Sequence, residues 1–142
     1  MAKTTICLAL LLVLPACGSH NARSPEQVAR SWSAALDHND NEAAGRFFAR
    51  GAEIVQNTEI VLTSDADAVR WNAALPCGGE IVSVTRESTT DVLVVFKLQR
   101  RPHHACDTPG QQAAAIFRVR AGKIVLWHQT STAPAPVGPA CT

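Results

Sequence analysis

The sequence predicts an α+β fold in which three helices are followed by a long, curved antiparallel sheet. In the first half, apolar residues recur at helical spacing between cap and stop signals, and in the second half apolar and polar residues alternate as in strands. The chain has 142 residues, of which 46% are hydrophobic, and this suits one domain with a modest core. Because such a sheet is apolar on one face, we expect the helices to cover that face.

The first helix is predicted to begin after Ser24. Ser24 can cap the helix, Pro25 suits the first helical position, and Gln27 can complete a capping box. One apolar stripe follows at helical spacing, formed by Val28, Trp32, Ala35 and Leu36.

Two further helices are predicted before residue 76. The second is short, beginning after a break at Asn39 or Asp40 and ending at Gly51. The third begins at Ser64 and ends where Pro76 interrupts it. Between these helices, two short extended pieces surround the turn residue Asn57.

Four strands are predicted in the second half of the chain. Their sequences are EIVSVTR, DVLVVFKLQ, AAAIFRVR and KIVLWHQT, and Ala121 and Gly122 join the last two as a hairpin. Alternation places Val82 with Val84 on one face of the first of these strands. On the closing strand it places Ile124, Leu126 and His128 together.

The N-terminus is typical of a signal peptide. A positive charge at Lys3 precedes nine apolar residues, 6–14, whereas a membrane-spanning helix needs about 20. The LPAC segment that follows resembles the lipobox of bacterial lipoproteins, in which the cysteine (here Cys17) is lipidated and becomes the first residue. Pro15 departs from the small or β-branched residue usual there, and cleavage after Gly18 is the alternative. Both alternatives predict an exported protein, either a lipoprotein of the cell membrane or a secreted or periplasmic protein.

A Cys17→Ala protein is therefore expected to lose its lipid, because the cysteine is the residue that carries the acyl groups. Metabolic labelling with a fatty-acid probe checks this. Cys141→Ala is the matched control, because it removes a thiol at the other end of the chain. Full label on the Cys17→Ala protein would contradict the prediction.

Four segments follow from these signals. We predict a signal peptide over residues 1–16, a tether over 17–23, a domain over 24–131 and a tail rich in proline and alanine over 132–142. The whole chain has a formal net charge of +1, and the mature chain loses one positive charge with Lys3. Because the sequence has no basic stripe with interleaved aromatic residues, nucleic acid is not a predicted partner.

The order of helices and strands resembles the nuclear transport factor 2-like superfamily, in its SnoaL-like branch of polyketide cyclases and ketosteroid isomerases. The resemblance covers residues 25–130 and is carried by VARSWSAALDHND, AAGRFFARGAEIV and AAIFRVRAGKIVLWHQ. It implies a cone-shaped α+β barrel with a pocket between the concave face of the sheet and the helices. It also implies a homodimer, which is frequent in the family.

Three cysteines remain once Cys7 has left with the signal peptide and Cys17 has been lipidated. Cys77 and Cys106 flank an even number of strands of the meander, so both lie at the same end of the sheet. Cysteines of exported proteins are oxidised by default, and a Cys77–Cys106 disulfide is therefore predicted. Cys141 would be left over, unpaired or linked to another chain.

The segment RRPHHACDTPG could instead hold a metal ion. It contains His103, His104, Cys106 and Asp107. Adjacent histidines on an extended loop point in opposite directions, and no second cluster follows at zinc-finger spacing. We therefore predict no metal site and no cofactor; a Cys106 that is unpaired or linked to a partner remains the other alternative.

The pocket implied by the resemblance is predicted to be apolar. Its predicted lining residues are Trp32, Trp71, Phe96, Phe117, Leu126 and His128. His128 is the candidate catalytic base, with Asp37 or Glu53 as an acidic partner. The opposite alternation, with Val125, Trp127 and Gln129 in the pocket, stays open. The chain has no tyrosine, so the arrangement of the steroid isomerases cannot be carried over.

Three functions are compatible with these residues. The first, favoured by the scarcity of polar groups, is an exported, lipid-anchored domain that binds a small apolar molecule or an envelope partner. The second is an isomerase, dehydratase or hydrolase that uses His128. The third is a structural dimerisation module. The fold alone does not choose among them.

Overall fold

The computed structural model describes residues 21–132, which form three helices and six strands. The predicted signal peptide, Cys17, Cys141 and the tail beyond Thr132 lie outside the described residues. None of the helices in this described part is long and apolar enough to cross a membrane. The elements in chain order are α1 Pro25–Asp37, α2 Asn41–Gly45, β1 Phe48–Val55, β2 Glu59–Leu62, α3 Asp65–Ala74, β3 Gly78–Arg86, β4 Asp91–Gln99, β5 Gln112–Arg120 and β6 Lys123–Thr130.

The first helix forms as predicted, and the second is shorter. The Ser24 side chain accepts from the Gln27 backbone N–H and the Gln27 side chain accepts from the Ser24 N–H, so the capping box is complete. Helix α2 ends at Gly45, and Phe48 already begins a strand. The prediction that the second helix extends to Gly51 is therefore wrong. Pairing of Phe48 with Ile124 of β6 outweighs the local helical pattern.

The sheet is mixed, with strand order β2-β1-β6-β5-β4-β3. Strands β3 to β6 form the predicted antiparallel meander, and β1 pairs with β2 in an antiparallel hairpin. However, β1 lies parallel to β6, so the prediction of a wholly antiparallel sheet is wrong. The helices also do not all precede the sheet, because β1 and β2 lie between α2 and α3 in the chain.

Three irregularities interrupt the pairing registers. On β6, Ile124 pairs with Val119 but Leu126 pairs with Arg118, which leaves Val125 as an extra residue. A similar shift on β3 leaves Val82 unpaired and 53% exposed, so the prediction that Val82 shares a face with Val84 is wrong. The third lies on β1. Each bulge bends its strand and moves the following side chains to the other face.

An aromatic cluster forms the centre of the core. Trp32 of α1 is its hub, and its ring centroid lies 5.3 Å from that of Phe117 and 6.2–6.4 Å from those of Trp71, Phe96 and Trp127. The helix thus packs on one face of the sheet, here called the covered face. The covered face carries Val92, Val94, Phe96, Phe117 and Trp127, all of them buried.

Candidate functional site

A cavity of about 180 Å³ lies between α1 and the covered face of the sheet. Most of its wall is apolar, and β4, β5 and β6 each contribute to it. The residues that line it are Trp32, Ser33, Leu36, Gln56, Leu75, Pro76, Cys77, Gly78, Gly79, Phe96, Leu98, Thr108, Ala113, Ala114, Ala115, Trp127 and Gln129.

The cavity exists because small residues stand opposite large aromatic rings. Ala113 pairs with Phe96 across the sheet, and Ala115 pairs with Gln129. At Gly79 a Cβ atom would lie 2.9 Å from the Phe96 ring, so only glycine lets the β3 backbone approach that ring so closely. The cavity therefore results from alanine and glycine facing large rings.

The polar groups of the wall are few and neutral. The Ser33 hydroxyl donates to the Gly79 carbonyl at 2.9 Å and is thereby satisfied. Gln56, Thr108 and Gln129 supply the other polar side chains of the wall. Among the described residues that line the cavity, none has an ionisable side chain, because Cys77 is disulfide-bonded and has no thiol. General acid–base chemistry requires a titratable group within hydrogen-bond reach of the substrate, and this wall does not provide one.

Trp127, whose ring lines the cavity, has a buried indole N–H without a partner among the described residues. Trp127 is 7% exposed, and its Nε1 has no hydrogen-bond partner within residues 21–132. The Trp32 indole, in the same cluster, donates to Asn72 Oδ1 at 2.8 Å. The two buried indoles therefore differ, because the N–H of Trp127 has no partner among the described residues and the N–H of Trp32 has one.

The predicted disulfide joins two segments that contribute to the cavity wall. Cys77 and Cys106 are bonded, and their Cα atoms lie 4.8 Å apart. Cys77 belongs to the cavity wall, and Thr108, two residues after Cys106, belongs to it as well. The loop between β4 and β5 is thus held against the segment that precedes β3.

Arg101 anchors the same loop from inside. Its side chain is buried, and its guanidinium donates to the carbonyls of Asn72 and Leu75 at the end of α3 and to the side-chain oxygens of Asn39 and Asn41. Burial lowers the pKa of Arg101, against the opposing effect of the Asp37 charge. Carbonyl groups at a helix C-terminus carry partial negative charge, which helps to hold a buried cation.

His104, in the same RRPHHACDTPG segment as Arg101 and Cys106, adds one contact to this anchor. The His104 Nε2 lies 3.0 Å from Asn39 Oδ1, which also accepts from Arg101. Desolvation lowers the pKa of His104, and the nearby charge of Arg101 adds to this effect. His103 and Asp107 are exposed. Within residues 21–132, no three His, Cys, Asp or Glu side chains lie close enough together to hold a metal ion.

Comparison with known proteins identifies the fold. No family model matches the sequence, and no curated protein is similar to it. Solved structures do match it. A nuclear transport factor 2-like protein of unknown function from Cytophaga hutchinsonii superimposes with a TM-score of 0.63 at 10% identity, over 78% of this chain and 92% of that chain. The chain has the nuclear transport factor 2-like fold.

Two further structures with this fold are similar to the chain. A proposed polyketide cyclase from Sinorhizobium meliloti superimposes with a TM-score of 0.60 at 18% identity, over 72% of this chain and 93% of that chain. A protein with a ketosteroid isomerase-like fold from Catenulispora acidiphila, in complex with trimethylamine, superimposes with a TM-score of 0.57 at 18% identity. The match covers 77% of this chain and 87% of that chain. Structural similarity at identities this low establishes the nuclear transport factor 2-like fold, but it does not identify a reaction.

Four of the six predicted pocket residues lie on the cavity side of this nuclear transport factor 2-like fold. Trp32 and Phe96 line the cavity. Phe117 and Trp71 lie behind the wall, with ring centroids 6.5 Å and 5.1 Å from that of Trp127. Both belong to the aromatic cluster and support the lining rings.

Leu126 and His128 lie on the opposite face of the sheet. They pair with Arg118 and Ile116 respectively, whereas Trp127 pairs with the buried Phe117. The prediction that Ile124, Leu126 and His128 share one face is wrong, because the bulge at Val125 reverses the alternation after Ile124. The alternative alternation, with Trp127 and Gln129 in the wall, is the one that the structure has.

The two candidate carboxylate partners of His128 also lie elsewhere. Asp37, at the end of α1, accepts from the Gly79 backbone N–H at 2.8 Å and so holds the start of β3. Glu53 is exposed and pairs with Leu126. On the same opposite face, Arg118 donates three hydrogen bonds of 2.9–3.3 Å to the Asp91 carboxylate, and these lower the Asp91 pKa. The Asp91–Arg118 pair thus lies on the face away from the cavity, whereas the Asp37 carboxylate contacts the backbone of the wall residue Gly79.

Proposed function

We propose that this domain binds a small, mainly apolar molecule in the cavity beneath α1. The observation that carries the proposal is the cavity itself, an apolar space of about 180 Å³. The space is a partly open cleft between α1 and the covered face of the sheet. Mainly apolar walls with a few placed polar groups are typical of small-molecule sites.

Binding is favoured over catalysis by the chemistry of the wall. Its polar side chains, Ser33, Gln56, Thr108 and Gln129, do not titrate in the physiological range. His128, the one candidate base, lies on the other face of the sheet. The similar protein from Catenulispora acidiphila forms a complex with trimethylamine, so a protein with this fold binds a small molecule.

Filling the cavity should abolish binding. Ala113 is half-buried in the wall opposite Phe96, and an Ala113→Leu change adds three carbon atoms to the space that the ligand needs. We expect the affinity for toluene, followed by NMR shifts of the tryptophan indoles, to fall at least about tenfold, which corresponds to about 1.4 kcal/mol.

Ala34→Leu is the matched control, because Ala34 lies on the exposed side of α1. It should leave the toluene affinity unchanged. The proposal fails if the two leucine variants bind toluene equally well, or if neither they nor the unaltered protein show saturable shifts. Mass spectrometry of small molecules that co-purify with the native protein would then identify the natural ligand.

Export and lipid anchoring are part of the same proposal. They are supported by the apolar run before the LPAC segment and by a disulfide, which forms and persists in oxidising compartments. A domain on a lipid anchor would present its cavity at the membrane surface, where small apolar molecules concentrate. Labelling of the Cys17→Ala protein, as described above, tests the anchor.

A homodimer remains the second candidate role, favoured by the opposite face of the sheet. No helix of residues 21–132 covers this face, and it carries the half-buried side chains of Leu93, Val95, Ile116 and Leu126. A sheet face of this kind suits a second copy of the chain. Sedimentation velocity measures the oligomeric state. A protein that stays monomeric at high concentration would contradict the homodimer.

A further inference from the structure

We propose that one end of the domain docks on anionic phospholipid headgroups. Four exposed cations form this surface, here called the basic end: Arg23, Arg46, Arg120 and Lys123. The inference goes beyond binding in the cavity, and it rests on the proposed lipid anchor only for the direction of the membrane.

The four cations surround the turn that joins β5 to β6. Two shallow depressions meet at this turn, and Gly122 and Arg23 border both of them. Arg46 and Lys123 border the first depression, and Arg120 borders the second. A Cβ atom on Gly122 would lie 3.6 Å from the Arg23 backbone nitrogen, so the chain from the predicted tether runs against the turn. The basic end is therefore the point at which the tether reaches the domain.

Local contacts position two of these cations without neutralising them. The Arg23 guanidinium lies 5.5 Å from the centroid of the Phe47 ring. The Lys123 ammonium donates to the backbone carbonyl of Arg46. Both partners are uncharged, because an aromatic face and a carbonyl oxygen attract a cation but leave its net charge. The positive charge therefore remains at the surface.

The carboxylates at the start of α1 and of β4 are already paired with other arginines. Glu26 forms a salt bridge of 2.7 Å with Arg86, and Asp91 forms one of 2.9 Å with Arg118. Within residues 21–132, no carboxylate forms a salt bridge with any cation of the basic end. The basic end therefore has charge that the described part of the protein does not use.

A surplus of one sign attracts a partner of the opposite sign. Counting the exposed carboxylates of Glu42 and Glu87 on neighbouring segments still leaves more positive than negative charge at this end. The four cations border two open depressions and do not converge on one point. They therefore suit an extended array of phosphate groups better than a single small anion.

The position of the basic end selects the membrane as its partner. Cys17, the predicted site of the lipid, precedes Arg23 by six residues, and such a segment spans at most about 22 Å. A lipid there would hold the basic end close to the headgroups. An acyl chain and a basic patch reinforce each other in membrane binding, and each Lys or Arg near an anionic surface adds to the attraction.

Vesicle co-sedimentation of the unlipidated chain of residues 18–142 tests the surface without the anchor. This chain contains every described helix and strand, so it has the whole core. We expect it to bind vesicles with about one-third phosphatidylglycerol at least about tenfold more tightly than vesicles of phosphatidylcholine alone. The preference should disappear in about 0.5 M NaCl, because salt screens exposed charges.

The test variant combines Arg46→Gln with Arg120→Gln. It removes two cations of the basic end and should bind the anionic vesicles about tenfold more weakly. Lys97→Gln with Arg100→Gln is the matched control, because it removes the same charge near the end of β4, at the other end of the sheet. The control should keep the affinity of the unaltered chain.

Thermal unfolding shows that each variant is folded. The test variant should also keep its affinity for toluene, because the basic end lies at the start of β6 and the cavity borders the end of that strand. Equal binding of the two double variants to anionic vesicles would overturn the docking surface, and so would equal binding of the unaltered chain to both kinds of vesicle. The lipid anchor, which the Cys17→Ala labelling tests, would stand in either case.

Two further outcomes would assign the basic end to another partner and overturn the proposal. Release from anionic vesicles by inorganic phosphate, with the ionic strength held constant by NaCl, would indicate a site for a single anion. Tighter binding to a DNA duplex than to the anionic vesicles would indicate a nucleic-acid surface.

Discussion

Replacing Arg101 by alanine is expected to lower the free energy of unfolding by about 3 kcal/mol. Four acceptors lose a donor at once: the carbonyl oxygens of Asn72 and Leu75 and the side-chain oxygens of Asn39 and Asn41. Two of them keep another partner, because the Asn72 carbonyl also accepts from the Leu75 N–H and Asn39 Oδ1 lies 3.0 Å from His104 Nε2. Each unsatisfied buried acceptor costs about 1–3 kcal/mol, and water entering at the partly buried asparagines recovers part of the loss. Since domains are stable by only about 5–15 kcal/mol, the effect is large.

Two variants separate the anchoring role from a loss of charge. Arg101→Lys keeps the positive charge but has three donors on a single nitrogen, so it cannot reach the end of α3 and both asparagines together. We expect an intermediate loss of stability for it. Arg100→Ala removes the neighbouring exposed arginine and should change stability by less than about 0.5 kcal/mol. Urea unfolding measures all three. An Arg101→Ala protein as stable as the Arg100→Ala protein would show that the buried guanidinium stabilises nothing.

The local elements of this fold are largely predictable from the sequence, because their signals are local. Ser24 and Gln27 form the capping box that their spacing predicts, and the Ala121–Gly122 turn joins β5 to β6. The disulfide is predictable for another reason. In a meander, an even number of strands between two cysteines places both of them at the same end of the sheet. The α+β class follows from the same periodicities.

The arrangement of the candidate site is much less predictable. The bulge at Val125 leaves no mark in the local pattern, yet it decides that Trp127 lines the cavity and His128 does not. The parallel pairing of β1 with β6 joins segments about 70 residues apart, and such long-range pairing is invisible to a short sequence window. Arg101 is missed because arginine is rarely buried without a carboxylate partner, and here carbonyl groups replace one.

Removing the Cys77–Cys106 disulfide is expected to cost about 3.5 kcal/mol of stability, the largest effect predicted for this protein. The bond closes a loop of 29 residues, and in the chain-entropy model a cross-link of that span restricts the unfolded chain by this amount. The double change Cys77→Ala and Cys106→Ala removes the bond without leaving a single reactive thiol at the site. Urea unfolding of this variant beside the unaltered protein measures the difference.

A reducing agent supplies the matched control, because it should destabilise the unaltered protein by a similar amount and leave the double variant unchanged. The loop that the bond holds also carries Arg101, whose contacts with α3 remain when the bond is gone. The variant should therefore stay folded, with the loop less firmly held against the segment that precedes β3. Because Cys77 and Thr108 both belong to the cavity wall, its affinity for toluene should fall as well. Unchanged stability in the double variant would mean that the contacts of Arg101 already restrict the loop, and that the bond adds nothing to them.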